Sequence, residues 1–270
     1  MPVVGTNTAA NSAIRFLNNN SSNASTSVAK LASGSRIVRA SDDAAGLAIS
    51  TKLTSDVTAL KQAATNASQA ASILQVADGG LARVSDVLQR MKALAAQALS
   101  GTVTDDERDY IDAEFQALDD EILGIEQTTT FNGSALIDGT YNQNFFVGLS
   151  ASGAVNNIAA NLSTVNVSQP GGDVQSTANA GTAFTAVNTQ IDAIAEGRAN
   201  VGALISRFET RGQQVATSIE NIEAANSQLK DVDLAAEQSK LVTANVLTQA
   251  AVSALSQANQ IPQTLLRVLQ

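Results

Sequence analysis

The chain has 270 residues, a net charge of −9, and no cysteine or histidine. Those absences remove thiol nucleophiles, imidazole bases, disulfides and the commonest zinc ligands, and with them Ser-His-Asp hydrolases and HExxH metalloproteases. Apolar residues make up 44% but aromatics only 3%, which suits close-packed, alanine-rich helices better than a thick globular core. The length allows one or two domains. The charge is unevenly placed: residues 1–41 hold Arg15, Lys30, Arg36 and Arg39 and no acid, whereas Asp105 to Glu126 holds ten acids and one arginine. No dense basic face with stacking aromatics is present, so a nucleic-acid partner is not expected. No apolar run reaches the length of a membrane span. The first residues lack a basic segment followed by an apolar one, so no secretory signal peptide is expected.

Taken in order, Ala10, Ile14, Leu17, Ser21, Ala24, Val28 and Leu31 follow four-three spacing and predict a helix with a thin seam. Its surface is rich in Asn and Ser, poor helix formers, so it needs a partner to be stable. Gly34 stops it. Ser41 is the expected N-cap of the next helix, with Asp42 and Asp43 in its first turn. The seam resumes at Leu53, Val57, Leu60, Ala64, Ala67, Ala71 and Leu74. Gly79 and Gly80 then shift its phase, and it continues as Leu81, Val84, Leu88, Met91, Ala95 and Ala98. This reads as one long helix with a weak point or as two stacked helices.

Gly101 ends that segment, and Thr104 with Glu107 forms a capping box for the next. Ile111, Phe115, Leu118, Ile122 and Ile125 form its seam. The acid cluster on its outer face reads as a solvated surface; calcium is the sharper alternative, but no D-x-D-x-D-G loop is present. From Thr128 the period changes. Residues 131–133 (FNG), 138–140 (DGT) and 150–153 (SASG) are turn signals, and Phe145, Val147 and Leu149 alternate as in a strand. Ile158, Ala160 and Leu162 are its expected hairpin partner.

The strongest pattern runs from Phe184 through Val187, Ile191, Ile194, Arg198, Val201, Ile205, Phe208, Gly212, Val215, Ile219, Ile222 and Asn226 to Leu229. All but Arg198, Gly212 and Asn226 are large and apolar. At 1.5 Å per residue this is a rod of about 70 Å, which must lie against other long helices. After a break near residue 231, Leu234, Leu241, Thr248 and Leu255 recur every seven residues, with Ala244, Ala251 and Ala258 three places later, until Pro262. The expected fold is mainly α: an elongated coiled-coil-like helical bundle with a small β-hairpin region and paired terminal helices. The expected division is 1–43 plus 231–270 as an inner coiled-coil domain, 44–130 plus 177–230 as a helical rod domain, and 131–176 as its β-hairpin and turn region.

Four segments carry a family resemblance. Residues 31–50, LASGSRIVRASDDAAGLAIS, are close to L-S-S-G-x-R-I-x-x-A-x-D-D-A-A-G. The others are QRMKALAAQ at 89–97, TTTFNGSALIDG at 128–139, and the C-terminal pair NVGALISRFE at 200–209 and SALSQANQIPQTLLRVL at 253–269. In this order and spacing the chain resembles bacterial flagellin over nearly its whole length. It departs from many flagellins in the middle, where residues 131–176 leave no room for a large outer domain.

The resemblance implies a structural subunit that polymerises into the flagellar filament, with no enzymatic activity and no cofactor or metal. Its terminal helices would form the innermost layer, through Ile14, Leu17, Val28, Leu31, Leu234, Leu241, Leu255, Leu265 and Leu266. Arg36 and Arg39 would donate ion pairs between subunits, with Asp42 and Asp43 as caps or partners. Implied partners are further copies of the chain, a flagellar export chaperone on the C-terminal helix, and the filament cap and hook-associated proteins. Passage through the flagellar type III apparatus to the cell exterior is implied as well. Recognition by the Toll-like receptor that senses flagellin would involve Arg90, Leu94, Gln97, Ile111 and Glu114, although Ala93 replaces an acidic residue common in well-recognised flagellins. The alternatives are a hook–filament junction protein and, more remotely, a coiled-coil adhesin or secretion component.

Overall fold

The computed structural model describes residues 6–150 and 155–268, with side chains as far as residue 260. Its elements are α1 (Thr8–Ser33), α2 (Ala44–Ala98), α3 (Asp105–Thr128), β1 (Thr130–Phe131), β2 (Ser134–Ala135), β3 (Asn142–Leu149), β4 (Val155–Asn161), α4 (Thr177–Lys230) and α5 (Leu234–Val268). They fall into two compact units. The first combines residues 1–55 with 221–270, and the second is residues 56–220.

The second unit is built on α2. Its buried stripe is Leu60, Ala63, Ala67, Ala70, Leu74, Ala77, Leu81, Val84, Leu88, Met91, Ala95 and Ala98. The steps alternate three and four without a break, so α2 is one continuous helix and the expected phase shift at the glycines is absent. Ala63, Ala70 and Ala77, too small to stand out in the sequence, carry the stripe in place of Ala64, while Ala71 is buried beside it as expected. Gly79 and Gly80 lie off the stripe. At Gly80 a Cβ would come within 2.7 Å of the Thr129 side chain, whereas at Gly79 it would meet open space. Thr129 cannot swing aside without losing its Oγ1 donation to the Ile125 carbonyl, 2.7 Å away. Gly79→Ala should therefore stabilise the unit by about 0.5–1 kcal/mol through helix propensity. Gly80→Ala should destabilise it by about 1 kcal/mol net, because overpacking outweighs the same gain. Urea midpoints of the two variants check this; equal midpoints contradict it.

Against this stripe α4 sets Ala180, Val187, Ile194, Val201, Phe208 and Val215, buried every seven residues, with Phe184, Ile191 and Ile205 half-buried beside them. Arg198, on the expected seam, instead bridges outward to Asp78, 2.8 Å away. Phe145 of β3 meets Phe208 edge-on, centroids 5.8 Å apart.

Helix α3 starts with the expected capping box: Thr104 Oγ1 accepts from the Glu107 N–H, and Glu107 Oε2 accepts from the Thr104 N–H. Its single cation, Arg108, is buried. It closes the end of α2 by donating to the Ala98 and Ser100 carbonyls at 2.9 and 3.3 Å, and pairs with Asp105. The Ala98 carbonyl lies in the last turn of α2, where no further helical turn supplies a donor, while the Ser100 carbonyl also accepts from the Val103 N–H at 3.2 Å. Two of the acids read as solvated are also buried. Asp112 accepts from the Val174 N–H at 2.9 Å and from Gln175, and Asp119 accepts from the Gly171 N–H at 3.3 Å. They hold the return strand of chain, residues 169–175, against α3. Burial pushes the Asp119 carboxyl above its ordinary value, against the opposing Gly171 hydrogen bond.

The β-region follows its turn residues. Asn132 and Gly133, at φ 50° and 77°, make the two-residue turn between β1 and β2. β3 and β4 pair antiparallel, Asn142 opposite Asn161 through Leu149 opposite Val155. Val147 is an unpaired extra residue between Phe146 and Gly148, so the expected simple alternation stops there. The turn signal at 151–153 lies outside the described residues.

Candidate assembly interface

In the first unit α1 and α5 pack along each other. Asn7 caps α1 by accepting from the Ala10 N–H, and its amide donates to the Ala258 carbonyl at 2.8 Å, tying the start of one helix to the other. The seam is lined by small side chains. Ala10, Ala13 and Ser27 are buried on α1, with Leu17, Ala24 and Leu31 half-buried. On α5, Ala244, Ala251 and Ala258 are buried, with Leu241, Thr248 and Leu255 half-buried. The α5 register matches the sequence reading except at Leu234, which is exposed. On α1 the seam passes through Ala13 and Ser27, not Ile14, Ser21 and Val28. Alanine and serine fill the fully buried centre of the seam, and leucines line its half-buried margins.

The seam holds one buried acid. Glu237, 5% exposed, accepts from Ser27 Oγ at 2.7 Å and from Lys240 Nζ at 2.9 Å. These two hydrogen bonds, Ser27 first, hold its carboxyl below the ordinary value, with Lys30 adding to the effect. Glu237 occupies the heptad position that Ala244, Ala251 and Ala258 hold farther along, and sequence reading missed it because a charged residue there does not stand out as part of an apolar seam.

The large apolar residues are left outside. Ile14, Phe16 and Val28 on α1, and Leu234, Val242, Val246, Leu247 and Val252 on α5, are each 42–64% exposed. The side chains of Leu265 and Leu266 lie outside the described residues. An exposed apolar surface on both helices of a pair marks an interaction site.

Between α1 and α2 the chain is tied to the end of α4. Gly34 ends α1 in the left-handed region at φ 68°. Arg36 donates its N–H to the Lys230 carbonyl at 2.6 Å and its guanidinium to the Leu229 carbonyl at 2.8 Å, while Ser35 Oγ also reaches Lys230 O. Arg36, expected to serve a neighbouring subunit, closes the C-terminus of α4 within its own chain, where a cation also suits the helix dipole. Arg39 remains exposed. Asp42 accepts from the Val38 and Arg39 N–H groups, which lower its carboxyl below the ordinary value. Asp43, not Ser41, caps α2 by accepting from the Gly46 N–H at 2.8 Å. A Cβ at Gly46 would strike Asp43 Oδ2 and Ile37 Cδ1, which accounts for a glycine there.

In the second unit Arg90 pairs with Glu114, and both are exposed, as is Gln97. Leu94 and Ile111 are 3% and 8% exposed and belong to the core. The structure therefore does not bring these five residues onto one accessible patch.

Long helices, close-packed small-residue seams and a terminal pair with uncovered apolar faces define a helical structural subunit. The chain matches the family models of the bacterial flagellin N-terminal helical region over residues 4–142 and of the C-terminal helical region over 184–269. It is 37% identical over 244 residues to a flagellin of Halalkalibacterium halodurans, covering 89% of this chain and 90% of that one. It is 34% identical over 299 residues to a flagellin of Bacillus subtilis, covering 98% of each. A flagellar filament 41 kDa core protein of Borreliella burgdorferi is 30% identical over 99% of this chain and 100% of its own length. The chain belongs to the bacterial flagellins and is a structural subunit of the flagellar filament. These relatives favour that role over a hook–filament junction protein. Filament proteins of this kind are part of the extracellular flagellum, and no helix among the described residues is long and apolar enough to cross a membrane.

Proposed function

We propose that α1 and α5 form the inner layer of the filament and that their outward apolar side chains are covered by further copies of the chain. The observation that carries this is the inverted arrangement of the pair: alanine and serine lie inside, while Ile14, Phe16, Val28, Val242 and Val246 lie outside. Such a pair gains little from its own seam and much from added neighbours, so ordering and assembly are coupled. Residues 1–43 with 231–270 serve as this inner domain, 44–130 with 177–230 as the rod, and 131–176 as the rod's hairpin region. Arg39 supplies the connecting segment's outward cation. The role is structural.

The uncovered α5 face is the site for an export chaperone before assembly, since an exposed apolar helix aggregates unless masked. Transit in unfolded form through the flagellar type III apparatus fits a cysteine-free chain whose terminal helices are weak alone. At the ends of the filament the same face meets the cap and hook-associated proteins. Recognition by the Toll-like receptor that senses flagellin would use Arg90, Gln97 and Glu114 on the folded chain. Leu94 and Ile111 would serve it only by holding α2 and α3 in place.

The test is seeded polymerisation. Val246→Asp should abolish pelletable filament, while the second unit keeps its unfolding midpoint, because the change buries a charge only in the polymer. Filament formation at the wild-type level by this variant would refute the reading.

A further inference from the structure

Two features of the second unit find no use in its own packing. On α3, Tyr110 is 79% exposed, the most exposed of the large apolar and aromatic side chains among the described residues. It stands between acids, with Asp106 one turn before it and Asp109 beside it, both exposed. On α4, Arg207 and Arg211 lie one turn apart along an open groove of about 410 Å³. Ile158 and Ala203 supply its apolar lining, and Ser206, Thr210 and Gln214 its polar edge. Arg207 is exposed, and Arg211 makes, among the described residues, a neutral hydrogen bond to Gln214 at 2.9 Å. The other arginines of this unit are turned to its own carboxylates: Arg83 to Asp86, Arg90 to Glu114, Arg108 to Asp105 and Arg198 to Asp78.

We propose that the Tyr110 knob of one copy seats in the Arg207–Arg211 groove of a second copy, in the contact that joins neighbouring rods. This rests on the assembly reading above. The two surfaces are complementary in shape, an aromatic knob against a concavity with apolar lining. They are also complementary in charge, with two carboxylates flanking the knob and two guanidinium groups flanking the groove. Tyrosine and arginine are the side chains that most often anchor protein interfaces. The guanidinium groups also favour the face of a phenol ring. If each copy offers its knob to one neighbour and its groove to another, the contact is heterologous and repeats into an open polymer wherever its rotation does not close a ring.

The absence of cysteine makes the contact directly readable. Ala113, exposed one turn from Tyr110, and Ser206, at the groove edge, tolerate a thiol without disturbing either anchor. A mixture of Ala113→Cys and Ser206→Cys chains, polymerised together and treated with a short bismaleimide, should give cross-linked dimers in filaments and none in monomers. Tyr110→Ala should raise the critical concentration for assembly about tenfold or more, the scale of one interface anchor. Arg207→Glu/Arg211→Glu should do the same, and combining it with Asp106→Lys/Asp109→Lys should restore assembly. Filaments of the mixed Ala113→Cys and Ser206→Cys chains that give no cross-link, or assembly unchanged by Tyr110→Ala, would overturn this contact and leave the filament role standing. A wild-type chain that forms no filament would overturn both.

Discussion

Phe208→Ala should cost the second unit about 3–5 kcal/mol, the range for removing a buried aromatic ring, and should be the most damaging single truncation in α4. Phe208 is fully buried, sits in the every-seventh-residue stripe that α4 presents to α2, and takes the edge of Phe145 from β3. It is therefore the point where rod and hairpin share one core. Its neighbours in the stripe are Val201 and Val215, whose side chains are too short to close the resulting cavity. Urea unfolding followed by circular dichroism reads the loss. A decrease below about 1 kcal/mol would mean that the hairpin is not anchored there.

Filaments carrying Glu237→Ala should show a critical concentration about 5- to 150-fold higher at neutral pH. Removing this acid leaves Ser27 Oγ buried without its acceptor and Lys240 without its counter-charge, a loss of about 1–3 kcal/mol. The pH dependence has a definite sign. The carboxyl is held below its ordinary value of 4.5 in the folded pair, so the unfolded chain binds a proton first as the pH falls. The stability it contributes is complete above pH 4.5 and is lost as the pH falls through the lower, folded value. Wild-type filaments should thus weaken in acid, and the variant should lose that part of the dependence. Turbidity against pH for both proteins measures this; parallel curves would exclude Glu237 as the titrating group.

Much of the architecture was legible because period and size coincide in the middle of the chain. Val187, Ile194, Val201, Phe208 and Val215 are large, regularly spaced and buried where the spacing put them. The α5 heptad was equally plain from Leu241, Leu255 and the three alanines. The α1 register was not, because a hydrophobic pattern picks out the largest side chains. Here Ile14 and Val28 point away from α5, and Ala13 and Ser27 do the packing. The same bias hid Ala63, Ala70 and Ala77 and made α2 look interrupted. Buried charges were the other blind spot. Arg108, Asp112, Asp119 and Glu237 are polar by type, and only their partners make them interior residues: backbone groups for the first three, and the Ser27 and Lys240 side chains for Glu237. Arg36 was read as an ion-pair donor to a neighbouring subunit; within its own chain its guanidinium donates to the carbonyl end of α4, a backbone partner that a charge pattern does not reveal.

The most direct measurement is amide hydrogen exchange of monomer and filament under the same conditions. If α1 and α5 gain most of their burial from neighbouring copies, their amides should exchange rapidly in the monomer and be strongly protected in the filament, while α2 between residues 60 and 98 is protected in both. Strong protection of α1 and α5 in the free monomer, or none in the filament, would contradict the account.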